Sequence, residues 1–412
     1  MNIKLNDKFH FVKNIIYVFF AIYIITLFID NTSIVFGNEY LTKAIKFIRY
    51  ICYMVFCVKI LYDLKNDFKI TYTMLIYLSL SAAILLVSKN PDILILLIVL
   101  LATKKLDFNK LIKITFYIFT CSFFLIIILS LLKIIPDWTY SRGNIIRHSL
   151  GFYYTTITSG IYLSIVLMYF FIRKYDFNYI ELLILQTINT FLYYLTDGRL
   201  SFILITFILI IMLVGKILKS NKIISKINNI KALHLLVATL PFLLFLSTLL
   251  LTYLYGLDNG AATKVNSLLS GRIKLNYNAF STYGVPLFGE NVEWQGWGGF
   301  GYVNIDETKE FVYNYVDTSY VRIIFDYGII FTACVLLAYS FMIYKCFKEK
   351  KYFLLQILIF VLIWSSVEPY IIYVGKNIFI LTFSRILDIG KIDLLNFKNI
   401  GKKIRLNENG EK

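Results

Sequence analysis

The sequence has little of what most soluble enzymes and metalloproteins use for chemistry. Histidine occurs three times in 412 residues, at scattered positions, which argues against a metal cluster. Five cysteines (Cys52, Cys57, Cys121, Cys334, Cys346) sit nearly all in apolar runs. No two form C-x-x-C, so neither a disulfide framework nor a zinc site is inferred. Charged residues make up only 16% of the chain, against about 25% in soluble domains. There is no P-loop, no G-x-G-x-x-G after a strand, no G-x-S-x-G and no H-E-x-x-H. ATP hydrolysis, nicotinamide chemistry, serine hydrolysis and zinc proteolysis all lose their usual signatures. No cofactor and no metal is expected.

What is present is apolar: 58% hydrophobic and 17% aromatic residues. One soluble core cannot hide that much apolar surface, and the long continuous apolar runs fit an all-α polytopic membrane protein. A membrane barrel would alternate apolar and polar residues instead. About twelve segments qualify as spans: 14–29, 47–62, 70–87, 91–103, 113–133, 152–172, 179–195, 200–215, 233–254, 319–344, 353–367 and 370–386. The first run ends in LFIDNTS, without a small-residue cleavage pattern, and is read as a retained helix.

The formal net charge is +17. With the N-terminus inside, twenty-six of the 42 lysines and arginines fall on the inner segments. The positive-inside rule therefore accounts for the basic excess, and nucleic acid is not expected as a partner. Both termini come out cytoplasmic. The chain divides into a membrane domain of about nine helices (1–254), a large extracytoplasmic loop (255–318), about three more helices (319–386) and a basic cytoplasmic tail (387–412). The predicted helix centres are nearly uncharged.

Four arginines break the charge rule by falling outside: Arg142, Arg147, Arg199 and Arg272. Arginine offers a planar fork of donors suited to phosphate oxygens. Outer arginines also snorkel to headgroups or pair with acids, and both uses stay open. Arg272 opens RIKLNYNAFSTY within the polar loop. A short interfacial helix is expected at about 271–283, capped by Ser270 and ended by Gly284. Ile273, Tyr277, Phe280 and Tyr283 would rest on the interface, with Arg272 and Asn276 facing a cavity. Arg322 and Asp326, four apart, are expected to pair, as are Asp197 and Arg199.

Outer Glu290, Asp317 and Glu368 could each take a proton from a hydroxyl or orient an arginine. His148 could be a base or a phosphate donor. The run NVEWQGWGGFGY carries Trp294 and Trp297. It suits the apolar faces of sugar rings, or equally an aromatic belt.

Four pieces in order resemble a known family: RHSLGF at 147–152, SGRIKLNYNAFSTYGVPLFGEN at 270–291, VDTSYVRIIFDYGII at 316–330, and the isolated Glu368. With the helix layout, these resemble the bacterial Wzy oligosaccharide repeat-unit polymerases, which share their layout with the O-antigen ligases. The resemblance implies a membrane glycosyltransferase of the cytoplasmic membrane. Its substrate would be a polyprenyl-pyrophosphate-linked oligosaccharide, and its partners membrane lipid, a flippase and chain-length regulator proteins. Arg272 and Arg147 would hold pyrophosphate, with Arg142 and Arg199 as helpers. His148, Glu290, Asp317 or Glu368 would position or deprotonate the acceptor, and Tyr277, Trp294, Trp297 and Tyr320 would contact substrate. A ligase of the same layout, a lipid-linked oligosaccharide flippase and a membrane scaffold are the rival expectations.

Overall fold

A computed structural model describes residues 2–35, 38–66, 71–218, 231–296 and 313–388. Fourteen α-helices are present among them: α1 (Asn2–Ile29), α2 (Glu39–Asn66), α3 (Tyr72–Ser88), α4 (Asp92–Thr103), α5 (Phe108–Leu131), α6 (Thr155–Arg173), α7 (Tyr179–Thr196), α8 (Arg199–Ile217), α9 (Lys231–Ala238), α10 (Leu240–Gly256), α11 (Gly260–Leu268), α12 (Arg272–Tyr283), α13 (Ser319–Lys348) and α14 (Tyr352–Ser365). Five are long and apolar enough to cross a bilayer, or six if the bent pair α10–α11 is one span. The protein is an all-α, membrane-embedded chain.

Burial separates the helices by position. In α6, 78% of the span window is buried, against 33% in α5 and α8. α6 is therefore the central helix, packed on α5, α7, α8 and α14. The outer helices turn Leu125, Ile128, Ile203 and Ile210 outward. An apolar belt of this kind is tolerable only against lipid.

Eleven of the twelve predicted segments coincide with helices. The twelfth, 370–386, is not an α-helix. The chain is irregular from 366 to 377 and then forms a 3₁₀ segment, Ile378–Asp388. The reason is local competition for hydrogen bonds. Pro369 lacks an N–H, and the Asn377 side chain donates to Ile371 O (2.7 Å) and Tyr339 Oη (2.9 Å) where a helix would use its own backbone.

The segment between the predicted spans 113–133 and 152–172 carries a hairpin, β1 (Thr139–Arg142) with β2 (Ile145–His148). Gly143 makes its turn at φ +58. The register sets Tyr140 opposite Arg147 and Thr139 opposite His148. These are the only named strands among the described residues.

α10 and α11 meet at 118°. Ser270 and Gly271, at φ +56 and +86, then reverse the chain into α12. α12 falls where a short helix was expected, but its cap differs. Gly271 is the N-cap residue, and no side chain caps the end. Gly284 ends the helix as expected. Arg272 and Asn276 turn inward as expected, but Ile273 is buried with them instead of lying on the outer stripe. The buried residues of the helix are Arg272, Ile273, Asn276 and Ala279, so the polar side turns into the protein. Tyr277 is 39% exposed, beside Tyr255. Two hydroxyls hold the polar face inward. Thr318 donates to Asn276 Oδ1 (2.8 Å), and Asn276 donates to Thr252 (3.5 Å).

α13 bends at Gly328, φ +90, where a Cβ would lie 2.1 Å from Leu287 O. The bend lets the chain after α12 hydrogen-bond to the helix. Ile329 N donates to Pro286 O (3.0 Å), and Glu290 N donates to Phe325 O (2.7 Å).

Candidate functional site

The hairpin, the α7–α8 turn, α12 and the segment after α14 meet at one end of the bundle. Arg272 lies at their centre, 8% exposed. Its Nη2 donates to Glu368 Oε1 (3.0 Å), its Nε to Val367 O (2.7 Å) and its Nη1 to Leu269 O (3.3 Å). Asp317 Oδ2 is 3.5 Å from Nε. Ser319 Oγ donates to Glu368 O, which fixes the backbone of that acid.

Burial decides the electrostatics here. It pushes the Glu368 carboxyl up to about 7, with Arg272 opposing the shift. Burial raises Asp317 as well, again against Arg272. The same burial works against the Arg272 charge, but the two carboxylates outweigh it and hold the guanidinium firmly protonated. A buried carboxyl poised near neutrality beside a fixed cation is suited to exchanging a proton.

Arg142 and Arg199 join this centre through Asp197. Arg142 Nη1 is 3.1 Å from Asp197 Oδ2, and Arg199 Nε donates to Asp197 Oδ1 (3.0 Å). The expected Asp197–Arg199 pair therefore forms, with Arg142 as a third member. Arg142, Arg199, Arg272 and Glu368 all line one small pocket, ≈ 20 Å³. It has room for about one water. A larger ligand enters only if side chains part, and Arg199 and Arg142 are the exposed ones, at 52% and 35%.

Arg147 stands next to this group and is 5% exposed. It lies 5.7 Å from the Tyr154 ring centre. Tyr154 is in turn within electrostatic reach of Arg272. Nε and Nη1 of Arg147 are buried with no hydrogen-bond partner among the described residues.

No family model, curated protein or solved structure matches this chain.

Other expected site residues lie elsewhere. His148 Nδ1 is 2.6 Å from Asp137 Oδ2, at the hairpin base. Asp137 also accepts from Leu150 N (2.8 Å), so this pair closes the hairpin. Glu290 is exposed and held through its backbone. Tyr320 is fully buried and donates to Leu362 O (2.9 Å), joining α13 to α14. Trp294 donates to Asp326 (2.7 Å), which also receives Arg322 Nε (2.6 Å). The expected Arg322–Asp326 pair thus forms with an indole added. Trp297 lies outside the described residues.

Lys376 was not expected, and it corrects the view that the span centres lack charge. It is 3% exposed, and its Nζ has no hydrogen-bond partner among the described residues. Its carbonyl accepts from Ser164, at the midpoint of α6. The sequence signal was available: a lysine inside an apolar run is a functional candidate by default.

Proposed function

We propose that this protein polymerises polyprenyl-pyrophosphate-linked oligosaccharide repeats on the extracytoplasmic face of the cytoplasmic membrane. The observation that carries this is the gathering of Arg142, Arg199 and Arg272 around one pocket with Glu368, with Arg147 adjacent. These four arginines come from separate elements and share one end of the bundle. The expected twelve crossings, counted with the 3₁₀ segment as the last, are what would put that end outside and both termini inside under the positive-inside rule.

The step is a glycosyl transfer. An acceptor hydroxyl attacks the anomeric carbon of the growing glycan. The C–O bond to pyrophosphate breaks, and its electron pair leaves with the lipid pyrophosphate. The hydroxyl proton passes to Glu368. The leaving group is a good one, so the main demand is for cations that hold its developing charge, and the arginines meet that demand. The donors left open on Arg147 suit an anion. Asp317 keeps Arg272 in place.

A transporter is the second reading, and one observation favours it. Lys376 is buried on an irregular segment at mid-bundle, where transporters bind their cargo.

The glycan of a deletion strain separates these. Single lipid-linked repeats on the outer leaflet support a polymerase. Long unattached chains mean a ligase, and repeats held on the inner leaflet mean a flippase. Wild-type surface polymer from a well-expressed Arg272→Ala strain would sink the pyrophosphate role.

A further inference from the structure

A second cavity, ≈ 340 Å³, lies on the other side of the Glu368–Tyr370 segment. Seven tyrosines line it, together with Asn31, Arg49, Asp92, Arg322 and Asp326. No part of the proposed step uses it.

Its chemistry differs from that of the arginine pocket. Both of its guanidinium groups are already paired, Arg49 with Asp30 and Arg322 with Asp326. With Asp92 added, carboxylates outnumber cations by one. Around the first pocket the balance is reversed: Arg142, Arg199 and Arg272 line it with only Asp197 and Glu368. An anion is therefore favoured in the first pocket and disfavoured in the second. What the second offers is aromatic faces with hydroxyl edges, plus carboxylates fixed by neighbours. Asp92 accepts from Tyr327 (3.2 Å), and the Arg322 guanidinium lies 4.7 Å from the Tyr315 ring. Nη1 of Arg322 is buried and has no hydrogen-bond partner among the described residues. Fixed acceptors and flat aromatic walls with hydroxyl edges are what a neutral polyol requires.

The two cavities share walls. Glu368 lines the first, while Pro369 and Tyr370 line the second. Tyr153 lines the second, and its neighbour Tyr154 packs on Arg147. Tyr154 is extended, at φ −156 and ψ 153, so successive side chains point opposite ways. Tyr315 lines the second cavity and is within electrostatic reach of Asp317 and Glu368.

We propose that this second cavity binds the acceptor: the neutral sugar end of the incoming lipid-linked repeat, with its attacking hydroxyl directed past Pro369 to Glu368. The proposal rests on the polymerase reading and assigns the substrate that reading leaves unplaced.

The test uses full-length protein in detergent and two probes. One is the single oligosaccharide repeat cut from the host's own surface glycan, carrying no lipid or phosphate. The other is undecaprenyl pyrophosphate carrying no sugar. Binding of each is measured by calorimetry for wild type, Asp92→Asn, Tyr153→Phe and Arg272→Lys. Asp92→Asn and Tyr153→Phe are expected to weaken the repeat by about tenfold, the loss of a hydrogen bond or two. They should still bind undecaprenyl pyrophosphate, which shows that they fold. Arg272→Lys should reverse the pattern, losing pyrophosphate and keeping the repeat. Wild type that binds no repeat overturns the proposal. So does a repeat that is lost in Arg272→Lys and kept in Asp92→Asn. A deletion strain that still makes full-length polymer overturns the polymerase reading instead. If that strain stops at single repeats while the two cavity variants bind like wild type, only the acceptor assignment falls.

Discussion

Arg272 donates to Glu368 at 3.0 Å across ninety-six positions of sequence, with both side chains almost completely buried. Neither charge is stable there alone. A buried ion left without its partner costs several kcal/mol, while the pair together adds little.

This sets the first prediction. Arg272→Ala leaves Glu368 and Asp317 without their cation and should destabilise the protein by about 3–5 kcal/mol. Arg272→Met with Glu368→Gln should be clearly more stable than Arg272→Ala, yet equally without transfer activity. Thermal unfolding in detergent measures the first quantity and polymer output the second. A double variant as unstable as the single one would show that the pair is not the source of the loss.

The second prediction concerns pH. Burial raises Glu368 to about 7 from its ordinary 4.5. A base works only when deprotonated, so transfer should fall as pH drops through about 7. Stability runs the other way. The folded state holds this proton more tightly than the unfolded chain, so the contribution of Glu368 is greatest below 4.5 and is lost as pH rises through about 7. Glu368→Gln should remove the acidic limb of a pH–rate profile. A limb that survives in that variant assigns the base to another group.

The third prediction is structural. Gly328→Ala places a Cβ against Leu287 O at a φ of +90. About 1–3 kcal/mol of backbone strain is expected, with overlap in addition. The chain at 285–290 should be displaced. Faster proteolysis there, together with a lower melting temperature, checks this.

The fourth concerns Lys376, whose Nζ finds no hydrogen-bond partner among the described residues. Methionine fills similar volume without a polar atom to satisfy. Lys376→Met should therefore be neutral or stabilising in thermal unfolding. A large destabilisation would mean that the lysine's contact with the Tyr370 ring, 5.5 Å away, outweighs the buried charge.

Local physics made part of this legible in the sequence. Eleven apolar runs coincide with helices, and five or six helices are long and apolar enough to cross a bilayer, because that much needs only length and hydrophobicity. Pairs four residues apart, such as Arg322 and Asp326, follow from helix geometry. The partners of α12's polar side were not legible, because they lie far away in the chain. Thr318 and Thr252 meet Asn276 only in the fold. His148 looked free in the sequence, but the hairpin brought Asp137 to it.

The sequence by itself determined that this chain is apolar enough for a membrane and where its long apolar runs lie. Both follow from composition and order, which need no tertiary contact. Only the tertiary structure decided that Arg272 meets Glu368 rather than Glu290, and that Lys376 is sealed inside the bundle. It alone opened a second, tyrosine-lined cavity beside the first. Those facts depend on which elements pack together, and the packing is set by many weak contacts between residues far apart in the chain.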